Sequence, residues 1–231
     1  MLASEKISFK VPEIGKISGL LMRPTDSKWI LALAHGAGAG MSHPFMSALA
    51  DELARVGMAT LRYQFPYMEA RTGRPDSPVV ATATVAAAAR AAREAASDLP
   101  LLAGGKSFGG RMSSTAAAEG LLDGVRGLVF FGFPLHPPKR PGTKRAEHLH
   151  KVKMPMLFLQ GTRDDLADLS LLRPICKKLG SLATVHVIEG ADHSFHVLKK
   201  SGKTDESVLR ELADTTETWA TNVGAEEVQA I

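Results

Sequence analysis

Three residue types that together perform nucleophilic catalysis stand in the order serine, aspartate, histidine. Each lies just behind an apolar run: Ser107 in "LLAGGKSFGG", Asp164 in "MLFLQGTRDDL" and His193 in "VHVIEGADH". A serine hydroxyl is a weak nucleophile. It needs a base to take its proton and a carboxylate to orient that base. Ser107 is the centre of Gly105-Lys106-Ser107-Phe108-Gly109, a G-x-S-x-G pattern. Its glycines relieve the crowding where a strand turns sharply into a helix and presents the serine. The same stretch contains Gly-Lys-Ser, the tail of a phosphate-binding loop. That loop requires G-x-x-x-x-G-K-[ST], and its first glycine would fall on Pro100, which has no N–H to give a phosphate. The nucleophile reading stands.

His193 is the expected base because it directly follows the turn after its strand, with His196 as a rival in the same loop. Asp165 and Asp168 compete with Asp164 for the orienting role. A developing oxyanion needs two fixed backbone donors. One is expected from Phe108, beside the serine. The other is expected from the glycine-rich turn His35-Gly36-Ala37-Gly38-Ala39-Gly40, at Ala37. A dinucleotide fingerprint is excluded there, because Met41 stands where the third glycine of G-x-G-x-x-G belongs.

Around this set, His35, Gly36, Lys106, Tyr63 and His136 are the expected substrate-contacting residues. Each has a plainer alternative. His35 could serve only to hold the oxyanion turn by a hydrogen bond. Lys106 either favours an anionic substrate or points to solvent. Tyr63, Phe65 and Tyr67 either line the pocket or pack in the core. The proline- and histidine-rich stretch 133–153 is either a basic rim over the site or a stiff, solvated connection. A second rim loop is expected at 64–78. A metal site from His136, His148 and His150 is not expected, since no carboxylate cluster supports it, and no cofactor is required.

The elements that must carry these residues alternate. "EKISFKV" and "KISGLLMRP" read as paired strands. "WILALA", "MATLRY", "LLAGGKS", "VRGLVFF", "MPMLFLQ" and "ATVHVIE" read as strands, mostly with the continuous apolar character of strands covered on both faces. Between them lie helical patterns. One is "SHPFMSALADELARVG", with Pro44 in its first turn and Phe45, Leu49, Leu53 and Val56 on one face. Others are an alanine-rich helix from Pro78, a small-residue helix behind Ser107, a helix containing Cys176, and a closing helix from "DESVLRELA". The expected fold class is α/β: a doubly wound, mostly parallel sheet with helices on both faces, as one domain over 1–231. Ligands in such sheets bind at the carboxyl ends of strands, where Ser107, Asp164, His193 and the glycine-rich turn from His35 lie.

Composition agrees with a globular protein that buries a real core. The chain has 231 residues, 45% of them hydrophobic, and a net charge of +4 from 28 basic and 24 acidic residues. That bias is too mild to point to nucleic acid, and two Trp and two Tyr offer no stacking surface. Cys176 is the only cysteine, so it cannot form an internal disulfide and reads as a small buried apolar residue. The charged start "MLASEKISFKVPE" does not resemble a secretory signal, and no apolar run is long enough to span a bilayer. A soluble cytoplasmic protein is expected, with no membrane association.

The segments "HGAGAGMSHPFM", "GGKSFGGRMSS", "FFGFPLHPPKRPG", "LFLQGTRDDL" and "GADHSFHV" resemble the α/β-hydrolase superfamily over nearly the whole chain. They resemble its small, lidless, dienelactone-hydrolase-like branch more closely. Within it they resemble one group, mostly bacterial hydrolases of unassigned substrate, which also resembles a subunit of a chromatin acetyltransferase assembly. The resemblance implies Ser107 as nucleophile, His193 as base and acid, and Asp164 as orienting carboxylate, three residues beyond Gly161 as is usual in that family. It implies Ala37 and Phe108 as oxyanion donors. The expected function is hydrolysis of a small carboxylic ester or thioester through an acyl-enzyme. The alternatives are acyl transfer and a non-catalytic protein-interaction module on the same fold.

Overall fold

In the computed structural model, which describes residues 3–229, eight strands form one sheet. Strands β1 (Glu5–Val11) and β2 (Gly15–Met22) make the antiparallel hairpin expected from their alternating pattern. Strands β3 (Trp29–Ala34), β4 (Met58–Tyr63), β5 (Leu101–Lys106), β6 (Val125–Phe131), β7 (Met156–Gly161) and β8 (Ala183–Ile188) are mutually parallel. The spatial order is β1-β2-β4-β3-β5-β6-β7-β8. All six parallel strands therefore end at one edge, and β3, β4 and β7 are buried along their whole length.

The helices divide between the two faces. Helix α1 (Pro44–Arg55) and helix α6 (Asp205–Gln229) cover one face, with Leu49, Leu53, Val208, Leu212 and Trp219 packed on Leu31, Val129 and Leu157. The short α2 (Pro66–Glu69) follows β4. Helices α3 (Pro78–Ala95), α4 (Phe108–Ala118) and α5 (Leu169–Leu179) cover the opposite face. The alanines of α3 let it lie close to the sheet, and Cys176 of α5 is buried in the same core. Ser77 caps α3, with Pro78 in its first turn.

The buried stripe of α1 runs through Met46, Leu49 and Leu53. Phe45, expected on that stripe, instead turns toward the strand-end edge. There it stacks on Phe195 with ring centroids 5.8 Å apart. The reason is tertiary: the loop after β8 supplies an aromatic partner that no helical periodicity announces. The stretch 133–153 begins buried at Phe133 and Leu135 and ends in a 3-10 turn (Lys144–Lys151) anchored by Ala146 and Leu149. It is neither wholly solvated nor free of the core. Among the described residues, no helix is long and apolar enough to cross a membrane.

The closest packing lies where β5 passes β3 and enters α4. A Cβ on Gly105 would lie 2.2 Å from the Ala34 carbonyl oxygen. A Cβ on Gly109 would lie 2.6 Å from both the Ala34 Cβ and the His35 oxygen. Gly109→Ala is expected to destabilise the fold by at least ~2 kcal/mol through overpacking, read as a lower urea midpoint with an unchanged slope. An unchanged midpoint would mean that β3 and α4 separate easily.

Candidate active site

Ser107 stands between β5 and α4 with φ 49° and ψ −112°. A non-glycine residue holds such a conformation only where its surroundings impose it. Here the Ser107 N–H is bonded to the Phe131 oxygen at 3.2 Å, and its own carbonyl accepts from Arg111 at 3.0 Å. The turn lifts the side chain off the sheet edge. Its Oγ lies 2.9 Å from His193 Nε2, and His193 Nδ1 lies 2.8 Å from Asp164 Oδ2. Three strand-end loops thus meet in one hydrogen-bonded chain.

Each member is held from behind. Asp164 is buried, its side chain only 1% exposed. Its Oδ1 accepts from the Leu166 N–H at 2.8 Å, and its Oδ2 also accepts from the Gln160 amide. With those donors its free oxygen lone pairs point at His193, so the Nδ1–H tautomer is the one the site selects. The rivals are elsewhere. Asp165 is exposed, and Asp168 caps α5 by accepting from the Ser170 N–H at 2.8 Å. His196 is exposed and pairs with Asp205 at 2.9 Å. The His193 loop is shaped by Asp192, whose Oδ1 accepts from the N–H groups of Ser194 (2.8 Å) and His196 (3.0 Å).

Lys106 neither points to solvent nor stands free for a ligand. Its Nζ donates to the His193 carbonyl at 2.6 Å and lies 5.9 and 5.5 Å from the ring centres of Phe45 and Phe195. Burial pushes its pKa down to about 8, while the Asp164 and Asp192 charges pull it back up. The side chain therefore ties the serine turn to the histidine loop. Gly132 leaves room for this meeting: a Cβ there would lie 3.2 Å from Lys106 Nζ and 3.5 Å from both Asp164 Oδ2 and His193 Nδ1.

The glycine-rich turn after β3 lies beside Ser107. Among the described residues, the N–H groups of Ala37 and Phe108 have no protein acceptor. The Gly38 N–H donates to the Tyr67 hydroxyl at 2.9 Å, and the Met41 N–H to Gln64 Oε1 at 2.8 Å. A cleft of about 340 Å³ opens here, lined chiefly by Gly36, Ala37, Phe45, Met46, Lys106 and Ser107. Gly36 and Lys106 thus border a cavity.

Three other expected substrate contacts do not. His35 is 0% exposed, with Nδ1 donating to the Gly36 oxygen (2.7 Å) and Nε2 accepting from the Phe65 N–H (3.1 Å). It props the turn and reaches no cavity. Tyr63 is also 0% exposed, packed edge-on to Phe9 and Phe65. As the last residue of β4 it faces the core, because strand alternation points its side chain into the helix layer. His136 is 5% exposed, bonded to the Pro137 oxygen (3.0 Å) and the Asp168 N–H (3.2 Å), so it fastens the 133–153 segment to the loop before α5. His148 goes to Ser114 at 2.7 Å and His150 to the Glu147 oxygen, and no group of three metal-ligating side chains gathers among the described residues.

Gln160, Gly132 and the Phe45–Phe195 pair were not singled out in the sequence. The one available signal was Gln160, a lone amide inside the apolar run "MLFLQG".

Residues 27–221 match the family model described as an alpha/beta hydrolase domain. The chain belongs to the α/β-hydrolase family. Solved relatives share the fold across their length. A dienelactone hydrolase from Anabaena variabilis is 22% identical, with 95% of this chain and 97% of that one covered at a TM-score of 0.75. An alpha-beta serine hydrolase homologue from Coxiella burnetii is also 22% identical, covering 92% and 97% at 0.73. A serine hydrolase without a lid from Xanthomonas campestris is 19% identical, covering 94% and 95% at 0.73. This α/β hydrolase is thus similar to dienelactone-hydrolase-like, lidless members.

Two outcomes follow from the site. Lys106→Met keeps an apolar stem between the two rings but loses the bond to the His193 carbonyl. Ester turnover should fall roughly 10-fold or more with an unchanged circular dichroism spectrum; unaltered turnover would show that the loop holds His193 without it. His35 and His148 are both pushed down to about 4, chiefly by burial. The unfolded chain takes up those protons first, so stability is lost as pH falls from about 6.5 toward 4, by up to about 3 kcal/mol for His35. His196, exposed and raised by Asp205, works weakly the other way. The urea midpoint should drop between about pH 7 and 5.5, above the range where most carboxylates protonate; a flat profile would contradict the neutral histidines.

Proposed function

We propose that this α/β hydrolase is a serine hydrolase that cleaves a small carboxylic ester or thioester through an acyl-enzyme. The observation that carries the reading is the chain Asp164–His193–Ser107, with bonds of 2.8 and 2.9 Å, ending on a strained serine that borders a cleft. A structural serine at a helix start needs neither that backbone conformation nor a buried carboxylate behind its histidine partner.

The steps follow from the geometry. Ser107 Oγ attacks the carbonyl carbon while its proton passes to His193 Nε2. Asp164 stabilises the imidazolium that forms and keeps it in register. The oxyanion accepts from the Ala37 and Phe108 N–H groups, and the positive end of α4 adds to their effect. His193 then protonates the leaving alcohol or thiol, and the carbonyl re-forms as an ester of Ser107. Water, deprotonated by the same imidazole, repeats the addition and releases the acid. The apolar cleft of about 340 Å³ is near the small end for ligand sites and suits a short acyl or alkyl group.

Fluorophosphonate treatment should give one adduct, on Ser107, located by mass spectrometry. Ser107→Ala should lose at least ~10³-fold in ester hydrolysis and remain folded. Full activity in that variant, or labelling elsewhere, would dispose of the assignment.

A further inference from the structure

Ser107 lies on the divide between two clefts. Ala37, Ser107 and Leu166 line both. Beyond them the first cleft is walled by Phe45, Met46 and the Lys106 stem. The second, of about 400 Å³, is walled by Arg111, Arg145, Asp76 and prolines of the two rim segments. Arg111 stands one helical turn after Ser107 on α4, and Arg145 comes from the 3-10 turn closing the 133–153 segment.

Among the described residues, neither guanidinium group has a carboxylate counterion. The arginines in described ion pairs are Arg23, Arg55, Arg93 and Arg210, and neither Arg111 nor Arg145 is among them. Both are half-buried. Arg111 has its guanidinium carbon 6.0 Å from the Phe108 ring centre, a cation–π approach that does not neutralise it. Burial lowers both arginine pKa values, and Arg145 lowers that of Arg111 further, so the two cations sense each other. His148, behind Arg111, is held neutral by the same surroundings. Asp76, among the described residues the one acidic side chain lining this cleft, has its Oδ2 engaged by the Tyr67 N–H at 3.2 Å. Two half-buried like charges facing one cavity are unfavourable until an anion joins them, and planar guanidinium forks suit a carboxylate.

We propose that this second cleft is an anion subsite, and that the substrates carry a carboxylate on one side of the scissile carbonyl and a small apolar group on the other. The proposal rests on Ser107 being the nucleophile. Two arginines set against Asp76 leave one net positive charge, which balances a monoanionic carboxylate better than a dianionic phosphate. The carboxylate is a spectator: hydrolysis adds water across the ester and leaves the anion bound to the arginines.

The test uses matched esters that differ in charge. Monomethyl succinate against methyl butyrate places the anion on the acyl side; 3-acetoxybenzoate against 3-acetoxytoluene places it on the leaving group. In one of these pairs the wild-type kcat/KM should favour the anionic ester by roughly 10-fold or more, and Arg111→Gln with Arg145→Gln should abolish that preference. A neutral preference in both pairs, or a preference that survives both substitutions, would overturn the proposal. Faster cleavage of 3-acetoxyphenyl phosphate than of 3-acetoxybenzoate would overturn the choice of a carboxylate. Calorimetric titration of Ser107→Ala protein with monomethyl succinate and with 3-acetoxybenzoate separates this proposal from the hydrolase reading. Binding of either that vanishes with the two arginines upholds the subsite even if Ser107 resists fluorophosphonate. No binding of either ester, or binding indifferent to the arginines, removes the subsite even if Ser107 labels cleanly.

Discussion

The site depends first on one backbone constraint. Ser107 occupies φ 49°, ψ −112°, a conformation that an L-residue avoids unless its neighbours impose it. The imposing neighbours are close-packed glycines. Gly105 and Gly109 allow β5, β3 and the first turn of α4 to approach so closely that a single methyl would collide with Ala34. The rigidity of the most buried part of the sheet is thereby transmitted to one hydroxyl at its edge. That hydroxyl is the one that meets His193 Nε2, at 2.9 Å.

Around that point the loops are tied to one another as well as to their own strands. Asp164 is set by the Gln160 amide and the Leu166 N–H, so its acceptor capacity is directed before His193 arrives. The His193 loop packs so tightly on the Asp164 loop that a Cβ on Gly161 would sit 2.2 Å from the Ala191 oxygen. Lys106 closes the circuit, running from the serine turn to the His193 carbonyl between two aromatic rings. Its lowered pKa reflects the burial that makes this tie effective.

The same economy appears in the histidines. Five of them serve as braces of differing kinds. His35 holds the turn after β3, His136 pins the proline-rich segment, and His148 bonds to Ser114 on α4. His43 caps α1, and His196 joins its loop to α6 through Asp205. His35 used this way stays neutral, because its Nε2 must accept the Phe65 N–H. His193 differs in facing both a buried carboxylate and a hydroxyl at a cavity wall.

The fold class, the strand-end placement of the chemistry and the order Ser107, Asp164, His193 were legible in the sequence. They rest on local rules: apolar runs make covered strands, proline and glycine punctuate helices, and alternation of the two forces a parallel sheet whose loops meet at one edge. Asp164 was preferred to Asp165 by the resemblance and His193 to His196 by its place after the turn; what only the tertiary structure decided is how the finished loops aim these side chains at one another. Tyr63 and His136 show the converse. Their residue types suit a binding pocket, but the direction of each side chain is set by packing layers assembled from distant segments. Lys106 could not be placed from its neighbours in sequence, because its partners, His193, Phe45 and Phe195, come from a loop and a helix far along the chain. The pairing of Arg111 with Arg145 across a cleft is likewise decided by where the 133–153 segment folds back on α4, a long-range contact that no local pattern encodes.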